Sequence, residues 1–185
     1  MNIALRKAMT VDDYLAWAAT QSEAPRTELI NGQIVAMSPE QLAHTRIKGS
    51  VYFAIRRAIT DAGIEAEVLT DGATIPIDSH TAYEPDASVR VGPPLPGRDM
   101  KVPDPIIVVE VLSPSSVHMD TSAKLIGYFK LPSVRHYPVI DPETRNVTHH
   151  MRGADGRLSA QTLSSGALRL DPPGITVDIA DLIGP

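Results

Sequence analysis

Residues 105–112 read PIIVVEVL and residues 85–91 read PDASVRV, and each run has an acidic residue in or beside a predicted strand. Apolar and β-branched runs of this length, bounded by proline, are typical of strands. A carboxylate buried in such a strand is costly unless it is paired or binds a cation. Asp86 and Glu110 are therefore the starting point for predicting both the fold and the site.

Composition predicts one domain, residues 1–185, with a sizeable core, because 43% of the residues are hydrophobic. The absence of cysteine excludes disulfides and thiolate metal sites, and leaves oxygen ligands and histidine for any metal. No apolar run approaches the roughly 20 residues of a membrane helix. The N-terminal stretch also lacks the pattern of an export signal. These features predict a cytoplasmic protein with no membrane association.

Basic residues concentrate in one segment of an acidic chain. The net charge is −5, which argues against indiscriminate nucleic-acid binding. Residues 41–60, however, contain no acidic residue and four basic ones: Arg46, Lys48, Arg56 and Arg57. The commoner interpretation of such residues is a solvated helix face. The more specific interpretation is that these residues contact the phosphate backbone of a nucleic acid.

Local patterns predict a mixed α/β chain. Thr10 caps a short helix, Asn31-Gly32 marks a hairpin, and a second helix begins at Ser38-Pro39-Glu40 and ends near Asp61. A third helix is predicted from about Asp120 to about Lys130. Strands are predicted in EAEVLT, ATIPID, DASVRV, IIVVEVL, VRHYPVI and NVTHHMR, with a last hairpin formed by RLSAQTL and GALRL. Strands around two main helices favour a single mixed α/β (α+β mixed sheet) domain.

Two carboxylates at the ends of neighbouring strands suit a divalent metal. Mg²⁺ prefers one or two protein carboxylates together with water and substrate phosphate, and Mn²⁺ is the alternative ion. Asp86 and Glu110 would provide the carboxylates, and the main-chain carbonyl of Val111 would complete the inner shell. Lys124, in the first turns of the next helix, would orient the attacking water or offset negative charge. This set of groups suits the hydrolysis of a phosphodiester.

Each of these three residues also has a purely structural interpretation. Asp86 follows a proline and so could shape a turn. Glu110 could form a buried ion pair with an arginine. Lys124 could pair with Asp120 on a solvated helix face, which would contribute only a few tenths of a kcal/mol.

Glu28 and His44 are accessory candidates. Glu28 is either a third carboxylate facing the metal or a surface residue of its strand, and the surface position is favoured. His44 either contacts the phosphate or the metal, or caps its helix, and the cap is favoured.

The ordered set Asp86, Glu110-x-x-Ser113-Pro114, Asp120, Lys124 and Tyr128 resembles the Uma-two family of the PD-(D/E)XK nuclease superfamily. The segment ELINGQIV and His44 share this resemblance, which runs from about Thr10 to about Arg152. The resemblance implies a restriction-endonuclease-like core, in which helices flank a central mixed β-sheet. It also implies Mg²⁺-dependent cleavage of DNA, with the catalytic lysine moved from the strand to the following helix.

Two positions depart from the family pattern. Leu112 stands where the common E-x-K motif has lysine, so Lys124 must take over that role. Pro138 stands where the family often has tryptophan. Because proline lacks an N–H group, a bulge or an edge position is expected for its strand.

Two hypotheses for function follow. The first is a Mg²⁺-dependent DNA endonuclease that acts through Asp86, Glu110 and Lys124. The alternative is a catalytically silent nuclease-like fold that binds nucleic acid or a protein partner. Three features favour this alternative: leucine in place of lysine at position 112, the negative net charge and the lack of a separate DNA-reading domain. A homodimer is expected because cutting both strands suits two-fold symmetry, and its interface would come from the C-terminal hairpin and the tail GITVDIADLI.

Overall fold

A computed structural model describes residues 8–21, 25–113 and 121–184 of the chain. Its elements confirm the predicted mixed α/β architecture. In chain order they are α1 (Val11–Ala18), β1 (Thr27–Ile30), β2 (Gln33–Ala36), α2 (Leu42–Asp61), β3 (Ala66–Thr70), β4 (Ile75–Asp78), β5 (Thr81–Tyr83), β6 (Ala87–Val91), β7 (Ile107–Val111), α3 (Thr121–Tyr128), β8 (His136–Asp141), β9 (Asn146–Arg152), β10 (Leu158–Leu163), β11 (Ala167–Leu170), β12 (Ile175–Asp178) and α4 (Ile179–Ile183).

The main sheet has six strands in the order β10-β9-β8-β7-β6-β3. β7 and β8 are parallel, and the other four neighbouring pairs are antiparallel. A parallel pair needs a crossover connection, and α3 lies in the chain between these two strands. A second sheet has the order β2-β1-β5-β4, and β11 pairs with β12. The central position of β7 places Glu110 between two neighbouring strands.

Alternation along β7 divides its side chains between two cores. Val109 and Val111 pack in the core that includes α2, α4 and the β11-β12 hairpin. Val108 packs on the opposite face with Tyr83 and Tyr128. Because successive side chains of a strand point to opposite faces, Glu110 shares the face of Val108 and points towards α3.

The N-terminal elements form as their sequences predict. The Thr10 side chain accepts a hydrogen bond from the Asp13 N–H, and the Asp13 side chain bonds back to the Thr10 N–H, which together form a capping box for α1. β1 and β2 make the predicted hairpin, with Asn31 and Gly32 at φ values of 50° and 76° in its turn. Glycine and asparagine tolerate this left-handed backbone. The predicted helix cap and the hairpin are both confirmed.

The start of α2 is later than predicted. The helix begins at Leu42, and its N-cap is Gln41, which is extended and makes no side-chain capping bond. Glu40 precedes the helix, and its carboxylate accepts a hydrogen bond from Lys48 Nζ at 2.7 Å. Glu40, which the sequence placed in the first turn, therefore lies outside the helix and pairs with Lys48 of α2.

The expectation of a bulge or an edge at Pro138 is wrong. β8 lies inside the sheet between β7 and β9. Its register with β9 runs without a break through the pair Pro138 and His149. Successive residues of β9 face differently, since His149 is fully buried and His150 is partly exposed.

The predicted C-terminal hairpin is also wrong. β10 pairs with β9, and β11 pairs with β12. The reason is burial: Leu168 and Leu170 of β11 insert into the core below α2, whereas β10 is almost wholly exposed. The larger apolar residues of the tail are buried in the same core: Ile175, Val177, Ile179, Leu182 and Ile183. The predicted dimer interface stays a prediction, and these five side chains are buried within the chain.

None of the helices in the described part of the chain has the length and apolar character needed to span a bilayer.

Gly127 sets how closely α3 approaches the second sheet. A Cβ atom at this position would lie 2.6 Å from Cε2 of Tyr83 and 3.0 Å from its hydroxyl. The Tyr83 ring is buried and packs edge-on against Tyr128, with centroids 5.3 Å apart. We therefore expect Gly127→Ala to lower the free energy of unfolding by about 1–3 kcal/mol, the usual cost of overpacking. Urea denaturation measures this change.

Gly49→Ala is the matched control, because Gly49 lies inside α2 and a Cβ atom there meets nothing within 4 Å. Alanine is the better helix former, so this variant should gain about 0.5–1 kcal/mol. Equal effects of the two substitutions would contradict the proposed contact between Gly127 and Tyr83.

Candidate metal centre

The ends of β6 and β7 bring the two predicted carboxylates side by side. Ala87 pairs with Val109 in the antiparallel ladder, so Asp86 lies beside the end of β7 that carries Glu110. The Val111 N–H donates a hydrogen bond of 2.6 Å to Asp86 Oδ2. Asp86 is 4% exposed, so its position does more than shape a turn.

Lys124 joins Glu110 from α3. Its Nζ lies 3.1 Å from Glu110 Oε1 and 3.0 Å from Glu28 Oε1. Tyr128, one turn later in α3, donates a hydrogen bond of 2.8 Å to the same Glu110 oxygen. The structural alternative for Glu110, an ion pair with an arginine, is wrong because Lys124 holds that place. The alternative partner of Lys124, Asp120, lies outside the described residues.

Glu28 is buried, and the prediction of a surface position is wrong. It is 5% exposed in β1, which lies between β2 and β5 in the second sheet. Its Oε1 atom accepts a hydrogen bond of 2.8 Å from the Glu84 N–H and also contacts Lys124. Glu28 therefore helps to position the Lys124 ammonium.

His44 does not cap α2, so that prediction is wrong too. His44 Nε2 lies 2.7 Å from the Val111 carbonyl oxygen, and because a carbonyl only accepts, the imidazole donates from Nε2. The same atom is 3.6 Å from Asp86 Oδ2. His44 Nδ1 faces Glu40 Oε2 at 3.2 Å. The histidine thus fixes the carbonyl that the sequence assigned to the metal, and a carbonyl has a second lone pair for a cation.

Lys48 differs most from its predicted environment. It is 6% exposed, and its Nζ lies 2.7 Å from Glu40 Oε1, 2.6 Å from Asp71 Oδ2 and 3.0 Å from Asp86 Oδ1. Burial by itself lowers the Lys48 pKa, but the nearby carboxylates, with Asp86 foremost, raise it above its usual value. Lys48 is therefore a buried ammonium and is not presented on a solvated face for phosphate contact.

Arg26 extends this ion-pair network from the segment before β1. Its guanidinium lies 3.2 Å from Glu40, 3.2 Å from Asp71 and 3.3 Å from Glu84. The two cations Arg26 and Lys48 share two carboxylates, Glu40 and Asp71. The network therefore ties the start of β1 to α2.

The three arginines of α2 lie at its surface. Arg46 and Arg56 are exposed, and Arg57 pairs with Asp181 of α4. Arg46 and Arg57 line a groove of about 670 Å³ between α2 and α4.

An open cleft of about 460 Å³ brings most of the candidate groups together. Its lining includes the predicted catalytic and metal residues and both accessory candidates: Asp86, Glu110, Val111, Lys124, Glu28 and His44. Ligand atoms of Glu40, His44 and Asp86 all lie within 4.8 Å of one another. Carboxylate and carbonyl oxygens are the donors that hard divalent ions prefer, so Asp86, Glu110 and the Val111 carbonyl in this cleft fit such an ion.

Glu110 carries the clearest electrostatic signature of the cleft. Burial raises its pKa to about 8, and Asp86 and Glu28 add to this, while Lys124 and the Tyr128 hydrogen bond oppose it. The negative charges of Asp86 and Glu28 lie near the buried Glu110 carboxylate. A bound cation would offset these charges, which is a second reason why the residues fit a metal.

Sequence reasoning missed Glu40, Asp71, Arg26 and the inward direction of Lys48. One signal was present, because His44 and Lys48 are four residues apart and so share one face of α2. Asp71 and Arg26 gave no such signal, since they come from separate loops that only the tertiary structure brings to α2.

The six-stranded mixed sheet carries Glu110 on β7, and Asp86 directly precedes the neighbouring strand β6. The chain belongs to the Uma2 family, described as "Putative restriction endonuclease", whose model matches residues 11–180. Two proteins of Synechocystis sp. are similar to it. "Uncharacterized protein sll1609" is 26% identical over 84% of this chain and 87% of its own length, and "Uncharacterized protein slr1290" is 29% identical over 80% and 76%.

A solved structure supports the fold. The crystal structure of "a putative nuclease belonging to DUF820" from Anabaena variabilis matches with a TM-score of 0.72 at 16% identity. The match covers 95% of this chain and 97% of that one. The central mixed sheet and its flanking helices are therefore shared with that structure, and the predicted fold class is confirmed.

Proposed function

We propose that this protein is a Mg²⁺-dependent DNA endonuclease that hydrolyses phosphodiester bonds. One observation carries the proposal. The Lys124 ammonium lies 3.1 Å from Glu110 Oε1, in the same cleft that Asp86 and Val111 line. A lysine beside carboxylates at the ends of two central strands suits metal-assisted hydrolysis of a phosphodiester.

Asp86, Glu110 and the Val111 carbonyl are the groups that would hold the ion, either Mg²⁺ or Mn²⁺. When bound, the ion would polarise the phosphoryl group and make a bound water more acidic. The protein keeps these ligands in place through buried contacts. The Val111 N–H donates to Asp86, the Tyr128 hydroxyl donates to Glu110, and His44 donates to the Val111 carbonyl.

Lys124 has a separate role in the proposal. Its charge lies beside Glu110, where it would offset negative charge as it develops on the phosphoryl oxygens. Glu28 holds the ammonium from the other side at 3.0 Å, so Lys124 needs little reorganisation during the reaction.

The exposed arginines of α2 are proposed to contact the DNA backbone. Arg46, Arg56 and Arg57 lie on the same helix as His44, which lines the cleft. Phosphate contacts of this kind position the duplex without reading its sequence.

Cleavage of a supercoiled plasmid tests the proposed activity. We expect the protein to cut the plasmid with Mg²⁺ and not with EDTA, and Asp86→Asn to lose this activity because the amide cannot replace the carboxylate on the ion. A homodimer, which we propose as the active form, would produce linear plasmid as well as nicked circles. Mg²⁺-dependent cleavage that persists in both Asp86→Asn and Glu110→Gln would contradict the proposal.

The alternative is a silent fold that binds nucleic acid or a protein. One observation favours it: Lys48 and the Val111 N–H already engage both Asp86 oxygens. This alternative predicts no calorimetric signal for Mn²⁺ in the wild-type protein, and saturable Mn²⁺ binding that disappears in Glu110→Gln would exclude it.

A further inference from the structure

The buried ammonium of Lys48 lies at the meeting point of three carboxylates. Oxygens of Glu40, Asp71 and Asp86 all lie within 3.0 Å of its Nζ atom. An ammonium has three N–H donors, and here three carboxylate oxygens surround it. Lys48 therefore behaves as a fixed cation inside the site.

Asp86 has a different neighbour on each of its two oxygens. Oδ1 contacts Lys48 Nζ at 3.0 Å. Oδ2 accepts from the Val111 N–H at 2.6 Å, on the side of Glu110 and the Val111 carbonyl. One oxygen thus belongs to the Lys48 network, and the other faces the proposed metal ligands.

Two-metal hydrolases place their ions about 3.5–4 Å apart, where the two ions act together on the attacking and leaving oxygens of the substrate. A second ion at Asp86 would need Oδ1 together with further carboxylate oxygens close by. Glu40 and Asp71 provide such oxygens, but Lys48 is bound among them.

We propose that the Lys48 ammonium takes the place of a second metal ion, so that each chain binds a single divalent ion. This inference rests on the proposed function, since it presupposes a first ion held by Asp86 and Glu110. It assigns Lys48 a positioning role: it balances the charge of Asp86 and directs that carboxylate towards one ion.

Arg26 strengthens the arrangement. Its guanidinium lies 3.2 Å from both Glu40 and Asp71, so the carboxylates around Lys48 are also held from outside. Displacing Lys48 would leave a buried ammonium without its partners, which is costly. A metal ion therefore has to compete with a cation that the fold itself keeps in place.

Counting bound Mn²⁺ tests the inference without relying on activity. Calorimetry and electron paramagnetic resonance should give one ion per chain for the wild-type protein. Lys48→Met should give two, because the loss of the ammonium frees the position among Glu40, Asp71 and Asp86 that it fills. Lys130→Met, the same substitution at a lysine whose side chain is 55% exposed, is the control and should keep one ion.

The possible ion counts separate the inference from the function on which it rests. Two ions in the wild-type protein would overturn the role of Lys48 and leave the proposed function standing. No ion would overturn both. A single ion in folded Lys48→Met would also overturn the inference. If that variant fails to fold, Lys48→Met/Asp71→Asn replaces it, because this pair removes one charge of each sign and keeps Glu40 and Asp86.

Discussion

Lys124→Met is expected to slow Mg²⁺-dependent plasmid cleavage by roughly 100- to 1,000-fold, the usual effect of removing one group that stabilises transition-state charge. Methionine keeps most of the buried side-chain length and removes the ammonium that contacts Glu110 and Glu28. Metal binding should persist, because Lys124 is not a ligand. The initial rate of nicking and the Mn²⁺ calorimetry of the same preparation measure these two effects.

Lys130→Met is the matched control for this prediction. Lys130 follows α3, its side chain is 55% exposed, and it pairs with Asp78 at the surface. Its removal should leave the cleavage rate unchanged. If both lysine variants cleave at the wild-type rate, Lys124 has no part in catalysis. The interpretation that Lys124 replaces the lysine missing at position 112 is then wrong.

Glu110→Gln is expected to weaken Mn²⁺ binding by more than about 100-fold, since even the outer-shell partners of metal ligands contribute 10- to 100-fold. Titration calorimetry measures this loss. Glu65→Gln, an exposed change just before β3, should bind as the wild-type protein does. Unchanged Mn²⁺ affinity in Glu110→Gln would remove Glu110 from the proposed site.

The same substitution should change the pH dependence of stability in the absence of metal. The Glu110 pKa is raised to about 8 by burial, with Lys124 opposing and Asp86 and Glu28 adding to the shift. At pH values between the ordinary glutamate pKa and about 8, the folded state holds a proton that the unfolded state releases. The free energy of unfolding therefore falls as pH rises through this window. Glutamine has no such proton. The stability of Glu110→Gln relative to the wild-type protein should therefore increase as pH rises through this window. Urea denaturation in EDTA at several pH values measures the difference, and a constant difference would contradict the raised pKa.

Local patterns predicted much of the fold. The capping box at Thr10 and the Asn31-Gly32 turn depend on neighbouring residues alone, so the sequence was enough to place them. The strand with Glu110 was also predictable, because its apolar run is long and bounded by proline. The C-terminal pairing was not, since two exposed or half-buried strands can pair in several ways and burial of Leu168 and Leu170 decides among them.

The sequence by itself predicted that Asp86, Glu110 and Lys124 lie close together, because strand ends and the following helix are neighbours in an α/β chain, and all three line one cleft. Only the tertiary structure decided which groups surround them. Glu28 of β1 meets Lys124 of α3, and Asp71, just after β3, meets Lys48 of α2, because each buried ammonium needs a partner of opposite sign. That requirement acts on the folded chain as a whole, and no local pattern of residues expresses it.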